Sequence, residues 1–317
     1  MTTHSNIFKY FQQTSLHPIT CALQILGRLN LSKFNRRTGT LLPTSTEATY
    51  LEHYIAKGGS LVGRCPICGE KTVFPFPVDF VQQLLDMGIS PDIIPPARFL
   101  LRESLLCNVC HSANRERQVA YVLLRTCNAK SLNDLADKQI LNTESNGAMH
   151  CRLMQSLNYH FSEFFGADHA PGAFVKGIRN EDLQNLSFAD ESLDIVITRD
   201  VFEHIPDPYL AHREVFRVLK KGGRHIFTVP FSQDSFTDIV RAELVGSEIV
   251  HHITPPQYHA NPVDPENGAL VFRIFSYETL IELKKIGFLP SLWHIYEPGS
   301  GILGPNALVF EAHKPLQ

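Results

Sequence analysis

Four cysteines fall in two tight pairs, Cys65-Pro-Ile-Cys68 and Cys107-Asn-Val-Cys110. A two-residue spacer lets both sulfurs of a pair reach one ion within a single turn, and backbone amides beyond the first cysteine can donate to the thiolates. Two such knuckles supply four thiolates, the donor set of a closed tetrahedral zinc site with a structural role. The 38 residues between them, 69–106, exceed the usual spacing of ~15–20, so an inserted helix such as 78–87 is expected there. His111, next to the second pair, is a spare nitrogen donor. A redox-active or vestigial pair of knuckles is the competing reading. The chain has seven cysteines, no secretion signal is expected, and so a disulfide framework is not expected either. Cys21, Cys127 and Cys151 then read as buried thiols.

A second set of residues with chemical capacity lies beyond residue 140. Glu163, Asp182 and the pair Arg199-Asp200 each follow a short apolar run, and Glu144, Asn146 and Gly147 follow another. Ligands of open α/β sheets sit beyond the carboxyl ends of the strands. A carboxylate placed there accepts both hydroxyl hydrogens of a vicinal diol. Taken singly, each of these acids reads as a solvated turn carboxylate; it is their joint order that argues for a site. His204, His252 and His259 are candidates to remove a proton, because imidazole titrates near neutrality. The plain alternative makes His204 a cap or packing residue of its helix and the other two loop residues.

The run Asn180-Glu-Asp-Leu-Gln-Asn-Leu-Ser-Phe-Ala-Asp-Glu-Ser-Leu-Asp-Ile-Val-Ile-Thr-Arg-Asp-Val-Phe-Glu-His-Ile205 and the later Arg217-Val-Leu-Lys-Lys-Gly-Gly-Arg-His-Ile-Phe-Thr-Val-Pro230 resemble class I S-adenosylmethionine-dependent methyltransferases of the methyltransferase-11 type. The resemblance covers roughly residues 130–317. It implies a doubly wound, seven-stranded, mostly parallel α/β sheet of the Rossmann-like kind, with S-adenosylmethionine as cofactor. It places Glu163 at the ribose, Asp182 at the adenine amino group with the Leu183 backbone amide beside it, and Arg199 and Asp200 facing the methyl sulfonium. The family's first strand ends in an acid and a Gly-x-Gly turn at the methionine moiety. Here Asn142-Thr-Glu144-Ser-Asn146-Gly147 has a single glycine, so Glu144 stands in for the acid and Asn146 for a residue that tolerates a left-handed backbone. The 19-residue step from Glu144 to Glu163 fits a strand–helix–strand unit.

The segment 231–275 occupies the place where methyltransferases build the acceptor pocket. Its Pro256-Gln-Tyr-His259-Ala-Asn-Pro262 resembles methyltransferases of glycan and secondary-metabolite pathways. No Asn-Pro-Pro-Tyr motif of amide methylation follows the fourth strand, which tilts the reading toward O-methylation of a small hydroxylated acceptor, such as a sugar or secondary metabolite. The alternative is a non-catalytic binding or scaffold protein that keeps the fold and uses a zinc module for contact. A nicotinamide-dependent enzyme is disfavoured by the absence of Gly-x-Gly-x-x-Gly.

The elements that must position these residues are legible in outline. Strands are expected at 139–142, 159–163, 173–178, 193–198, 225–229, 291–296 and 307–311, and helices at 149–156, 208–220 and 277–286. Lys220 and Lys221 are expected to fill the last turn of the second helix with Gly222-Gly223 ending it, and Ser276 and Gly287 to cap the third. Three regions result: an irregular or helical segment 1–60, a zinc-binding module 61–118 and a methyltransferase domain 119–317. The 317 residues, 44% hydrophobic and 19% charged with a net charge of −3, suit a globular chain with a sizeable core. No run approaches the ~20 apolar residues of a membrane span, and a cytoplasmic location is expected. Residues 1–64 carry seven Lys and Arg against two Asp and Glu, but Lys33, Arg36 and Arg37 are too few for a nucleic-acid partner to be expected. Oligomeric state is left open.

Overall fold

The computed structural model describes residues 51–52, 54–77, 79, 82, 85–86 and 97–317. Residues 1–50, with Cys21, Lys33, Arg36 and Arg37, lie outside these residues; of the expected segments, residues 51–52 and 54–56 of 1–60 and residues 82, 85 and 86 of 78–87 are described and are helical. Along the chain, β1 (Ser60–Arg64) and β2 (Lys71–Pro75) are followed by α1 (Asn114–Thr126), β3 (Ile140–Asn142), α2 (Gly147–Leu153) and β4 (Tyr159–Glu163). Next come β5 (Phe174–Val175), β6 (Ile178–Asn180), β7 (Leu193–Arg199), α3 (Pro208–Val218) and β8 (Leu219–Thr228). Short strands β9 (Ile239–Val240), β10 (Ala242–Val245), β11 (Glu248–His251), β12 (Tyr258–His259), β13 (Ala269–Leu270) and β14 (Arg273–Ile274) precede α4 (Glu278–Ile286), β15 (Leu289–His294) and β16 (Leu308–His313). Among the described residues no helix is long and apolar enough to cross a membrane.

Two compact units divide the chain. The first comprises residues 1–135, 146–153 and 292–309, and the second 136–145, 154–291 and 310–317. In the first, β1 and β2 form an antiparallel hairpin that runs into the first cysteine pair. The chain around Gly299 packs so closely on β1 that a Cβ on Gly63 would strike the Gly299 carbonyl. Arg117 of α1 is fully buried. It donates to the carbonyls of Leu105, Ser112, Ser300 and Gly301, and its guanidinium lies 4.4 Å from the Phe74 ring centre. One cation thereby gathers four backbone acceptors, of which the Ser112 carbonyl also accepts from Cys107 N.

The main sheet has eight strands in the order β15-β16-β8-β7-β3-β4-β6-β5. β7 pairs in parallel with β3 and β8, β3 with β4, and β4 with β6, while β16 runs antiparallel to β8. Parallel strands covered on both faces read as continuous apolar runs. This is why Ile195, Val196 and Ile197 of β7 and Ile226 and Phe227 of β8 are buried. The order reverses between β3 and β7, the topological switch at which α/β sheets bind ligands. The eighth strand arises because the expected strand 173–178 is a hairpin. Lys176 and Gly177 both adopt positive φ (51° and 81°), the conformation of a two-residue type I′ turn. This folds β5 back on β6, and β6 alone continues the parallel order.

Helix α3 begins with Asp207, whose side chain accepts from Leu210 N at 2.8 Å, and with Pro208 in its first turn. It ends at Val218, not at the glycine pair. Leu219 is already extended and pairs with Leu193, so Lys220, Lys221, Gly222 and Gly223 lie in β8. Strand pairing overrides the helical propensity of the two lysines, and Lys220 pairs with Asp194 at 2.7 Å. Ser276 Oγ accepts from Glu278 N at 3.2 Å, and Gly287 closes α4 at φ 119°. Of the leftover cysteines that are described, Cys151 is exposed and Cys127 half-buried, contrary to expectation. Cys151 sits on the outer face of α2, whose buried residues are Met149, His150 and Leu153.

Candidate functional site

The two cysteine pairs converge. The sulfurs of Cys65, Cys68, Cys107 and Cys110 all lie within 4.8 Å of one another, with Cys65 and Cys110 at 3.7 Å and Cys68 and Cys107 at 3.9 Å. Sulfurs ~2.3 Å from a tetrahedral centre are ~3.8 Å apart. The knuckles are built alike. Gly69 N donates to Cys65 O and His111 N to Cys107 O, and each donor residue is left-handed, at φ 80° and 58°. His111 thus occupies the backbone position that Gly69 fills in the first knuckle, and it is exposed outside the cluster. Val109 N and Cys110 N donate to Cys107 Sγ at 3.4 and 3.5 Å. Crowding splits the thiols. Cys65 is lowered by its hydrogen bond with Cys110, Cys68 is pushed up to about 11 by burial, and Cys110 is pushed up to about 12 by its bond to Cys65. The donor set and spacing fit a divalent ion taking four thiolates.

At the carboxyl end of β4, Glu163 Oε1 accepts from Ser145 N at 2.9 Å and Ser145 Oγ at 2.8 Å. Its Oε2 takes no hydrogen bond among the described residues. After β6, Asp182 Oδ1 accepts from Gln184 N at 2.8 Å, and Leu183 N has no acceptor among the described residues. This loop is held from α3. Glu214 accepts from Leu186 N, and Arg217 donates to Leu186 O and Phe188 O. Arg199, at the end of β7, pairs with Glu144 after β3, so these two charges neutralise each other. Asp200 follows at φ 50°, its N–H donating to Thr228 O at 2.9 Å. Asn146 is exposed, and Gly147 opens α2 at φ 89°, a conformation that favours glycine. Glu163 and Asp182 each keep a carboxylate oxygen for a hydroxyl or amino donor and Leu183 a backbone donor. The set therefore fits a nucleoside. Ser145, which shares the Glu163 carboxylate, was not legible as a site residue, since a serine in a polar turn carries no signal.

The three histidines part company. His252 lies on the exposed β10–β11 hairpin, 3.0 Å from Glu243. His204 and His259 meet, with His204 Nε2 and His259 Nδ1 3.3 Å apart. Both face Glu203 Oε1, at 3.6 and 3.5 Å. Glu203 and His204 share the short 3-10 turn after β7. The segment 270–272 brings His259 to them: Phe272 N donates to Glu203 O, His204 Nδ1 donates to Leu270 O at 2.8 Å, and Leu270 pairs with Tyr258 across β12–β13. Burial lowers the His204 pKa despite the Glu203 carboxylate, which favours the neutral ring. Glu203 is itself fully buried, and neither carboxylate oxygen has a hydrogen-bond donor. Sequence reading passed over Glu203 because only the tertiary fold gives it two imidazole neighbours.

Residues 147–227 match the methyltransferase domain family. An uncharacterized methyltransferase of Mycobacterium marinum is 29% identical over 140 residues, 42% of this chain and 52% of that protein. The chain thus spans about half the length of the curated relative it matches. Among solved structures, an S-adenosylmethionine-dependent methyltransferase of Methanosarcina mazei is 18% identical, with 57% of this chain and 93% of that one aligned at a TM-score of 0.34. The 1,6-didemethyltoxoflavin-N1-methyltransferase of Burkholderia thailandensis, bound to S-adenosylhomocysteine, is 14% identical over 64% of this chain and 79% of that one, at a TM-score of 0.34. Residues 147–227 are thus similar to a methyltransferase domain and lie within the doubly wound α/β part of the chain. The same chain carries the four-cysteine cluster.

Proposed function

We propose that the protein methylates a hydroxyl of a small acceptor, such as a sugar or secondary metabolite, with S-adenosylmethionine as donor and a structural zinc ion on Cys65, Cys68, Cys107 and Cys110. The carrying observation is the succession Glu163, Asp182 and Asp200 after β4, β6 and β7, the strands around the topological switch. In this reading Glu163 holds the ribose diol and Asp182 and Leu183 the adenine edge. Glu144, Asn146, Gly147, Arg199 and Asp200 line the methionine end. Bound S-adenosylmethionine supplies an electrophilic methyl carbon. The chain's own task is to orient the acceptor in line and relieve its hydroxyl of a proton. That proton leaves at the Glu203–His204–His259 cluster, with His252 apart at its Glu243 ion pair.

A scaffold reading draws on one observation: Arg199 and Glu144 neutralise each other where the family has an open glycine turn. Calorimetric titration with S-adenosylmethionine and S-adenosylhomocysteine separates the two readings. The enzyme reading expects micromolar binding, weakened about 10-fold or more in Asp182→Ala with the fold intact, because a hydrogen bond to a charged group contributes roughly 1.5–3 kcal/mol. No binding to the folded wild type, or unchanged affinity in the variant, overturns the assignment.

A further inference from the structure

Glu203, His204 and His259 make a second metal-ligating constellation, separate from the cysteine cluster. Their facing atoms, Glu203 Oε1, His204 Nε2 and His259 Nδ1, are separated by 3.3, 3.5 and 3.6 Å. Nitrogen and oxygen ligands ~2.1 Å from a tetrahedral ion are ~3.4 Å apart, against ~3.0 Å for neighbouring positions of an octahedron. The observed spacings match the tetrahedron. Ring orientation agrees. His204 Nδ1–H is committed to the Leu270 carbonyl, so its Nε2 carries the lone pair turned to the cluster. His259 Nε2 accepts from the Gln257 side-chain amide nitrogen at 3.3 Å, so Nδ1 faces the cluster and gives up its proton when it takes an ion. The carbonyl behind His204 is the usual outer support of a metal-bound histidine.

The carboxylate is the independent observation. Glu203 is fully buried, and both of its oxygens lack a donor. A buried charge in that state is costly unless a cation completes it. The side chains of His204 and His259 remain 18% and 22% exposed, so the cluster is open to solvent. We propose that Glu203, His204 and His259 bind a divalent ion of the zinc type through two nitrogens and one oxygen, leaving a fourth position for the acceptor hydroxyl. The site deepens the methyltransferase reading and rests on it for its role. The metal-bound hydroxyl gives its proton to solvent, its oxygen lone pair forms the bond to the methyl carbon, and the carbon–sulfur electron pair returns to sulfur. The products are a methyl ether, a neutral thioether and one proton.

The test uses the full-length protein with zinc on the cysteines, titrated with Co2+ alone and followed by calorimetry and visible absorption. The wild type is expected to take about one further equivalent, with the absorption of nitrogen and oxygen ligation and no thiolate charge-transfer band. Affinity falls at least about 100-fold in His259→Ala and in Glu203→Gln. His259 is on the partly exposed hairpin, so its variant keeps the proposal testable if Glu203→Gln does not fold. No further Co2+ bound by the folded wild type, or equal binding in His259→Ala, overturns the site. Parallel titration with S-adenosylhomocysteine keeps the two ideas apart. Cofactor binding without Co2+ binding removes the metal site alone. Co2+ binding without cofactor binding leaves the site and overturns its role in methyl transfer.

Discussion

At the scale of single residues, the interior histidines set the acid limit of the protein. His212 and His225 are fully buried against Phe202 and Phe227, and neither ring nitrogen of His212 has a hydrogen-bond partner. Burial pushes His212 down to about 3 and His225 well below its ordinary value. The folded state therefore stays neutral while the unfolded chain takes up protons below about pH 6.5, so stability is full above that pH and falls as pH drops toward 3. At pH 5 the loss from one such histidine is roughly 2 kcal/mol. His212→Phe should raise stability at pH 7 by about 1 kcal/mol, by removing two unsatisfied nitrogens, and should flatten the decline toward pH 5. Urea melts at both pH values check this; an unchanged slope would show that His212 does not contribute to it.

At the scale of elements, the cysteine module is held by one side chain and, in the proposed reading, one ion. Arg117 reaches across from α1 to both 105–112 and 300–301, and burial lowers its pKa to about 10 while the cysteines oppose that shift. Arg117→Met takes a donor from four carbonyls, of which the Ser112 carbonyl keeps its bond from Cys107 N, and is expected to lower stability by about 3 kcal/mol or more. Arg117→Lys should not restore it, because a compact ammonium cannot fork to four acceptors. Thermal melts decide, and full rescue by lysine would refute the fork argument. Cys107→Ser should release the zinc and unfold the hairpin side of the module. Metal analysis of the purified variant showing zinc retained in full would remove the structural-zinc assignment.

At the scale of the whole molecule, the chain passes more than once between the two units. The first unit takes in 146–153 and 292–309 as well as the cysteine segment, so neither unit is a continuous stretch. Fragment 119–317 therefore lacks Arg117 and β1, the partners of residues 299–301. It is expected to show no cooperative melt and no binding of S-adenosylhomocysteine. A cooperative transition in that fragment would show that the sheet folds without the cysteine segment.

Local chemistry set much of this in the sequence. Period-2 and all-apolar runs gave β3, β4, β7, β15 and β16 to within a few residues, since buried parallel strands have little freedom in composition. The Cys-x-x-Cys spacing located two turns, and their convergence on one centre followed from donor chemistry. Where strand pairing competed with local propensity, the sequence misled: Lys220 and Lys221 read as a helix end, yet β7 draws them into β8. The Lys176-Gly177 turn was hidden because a lysine at positive φ carries no compositional mark. The meeting of Glu203 and His204 with His259, 55 residues along the chain, was decided only in three dimensions, by Leu270 and Phe272 bonding to the turn after β7. Spacing along a chain encodes contacts within a turn or a strand, whereas contacts between distant segments depend on packing that no local pattern records.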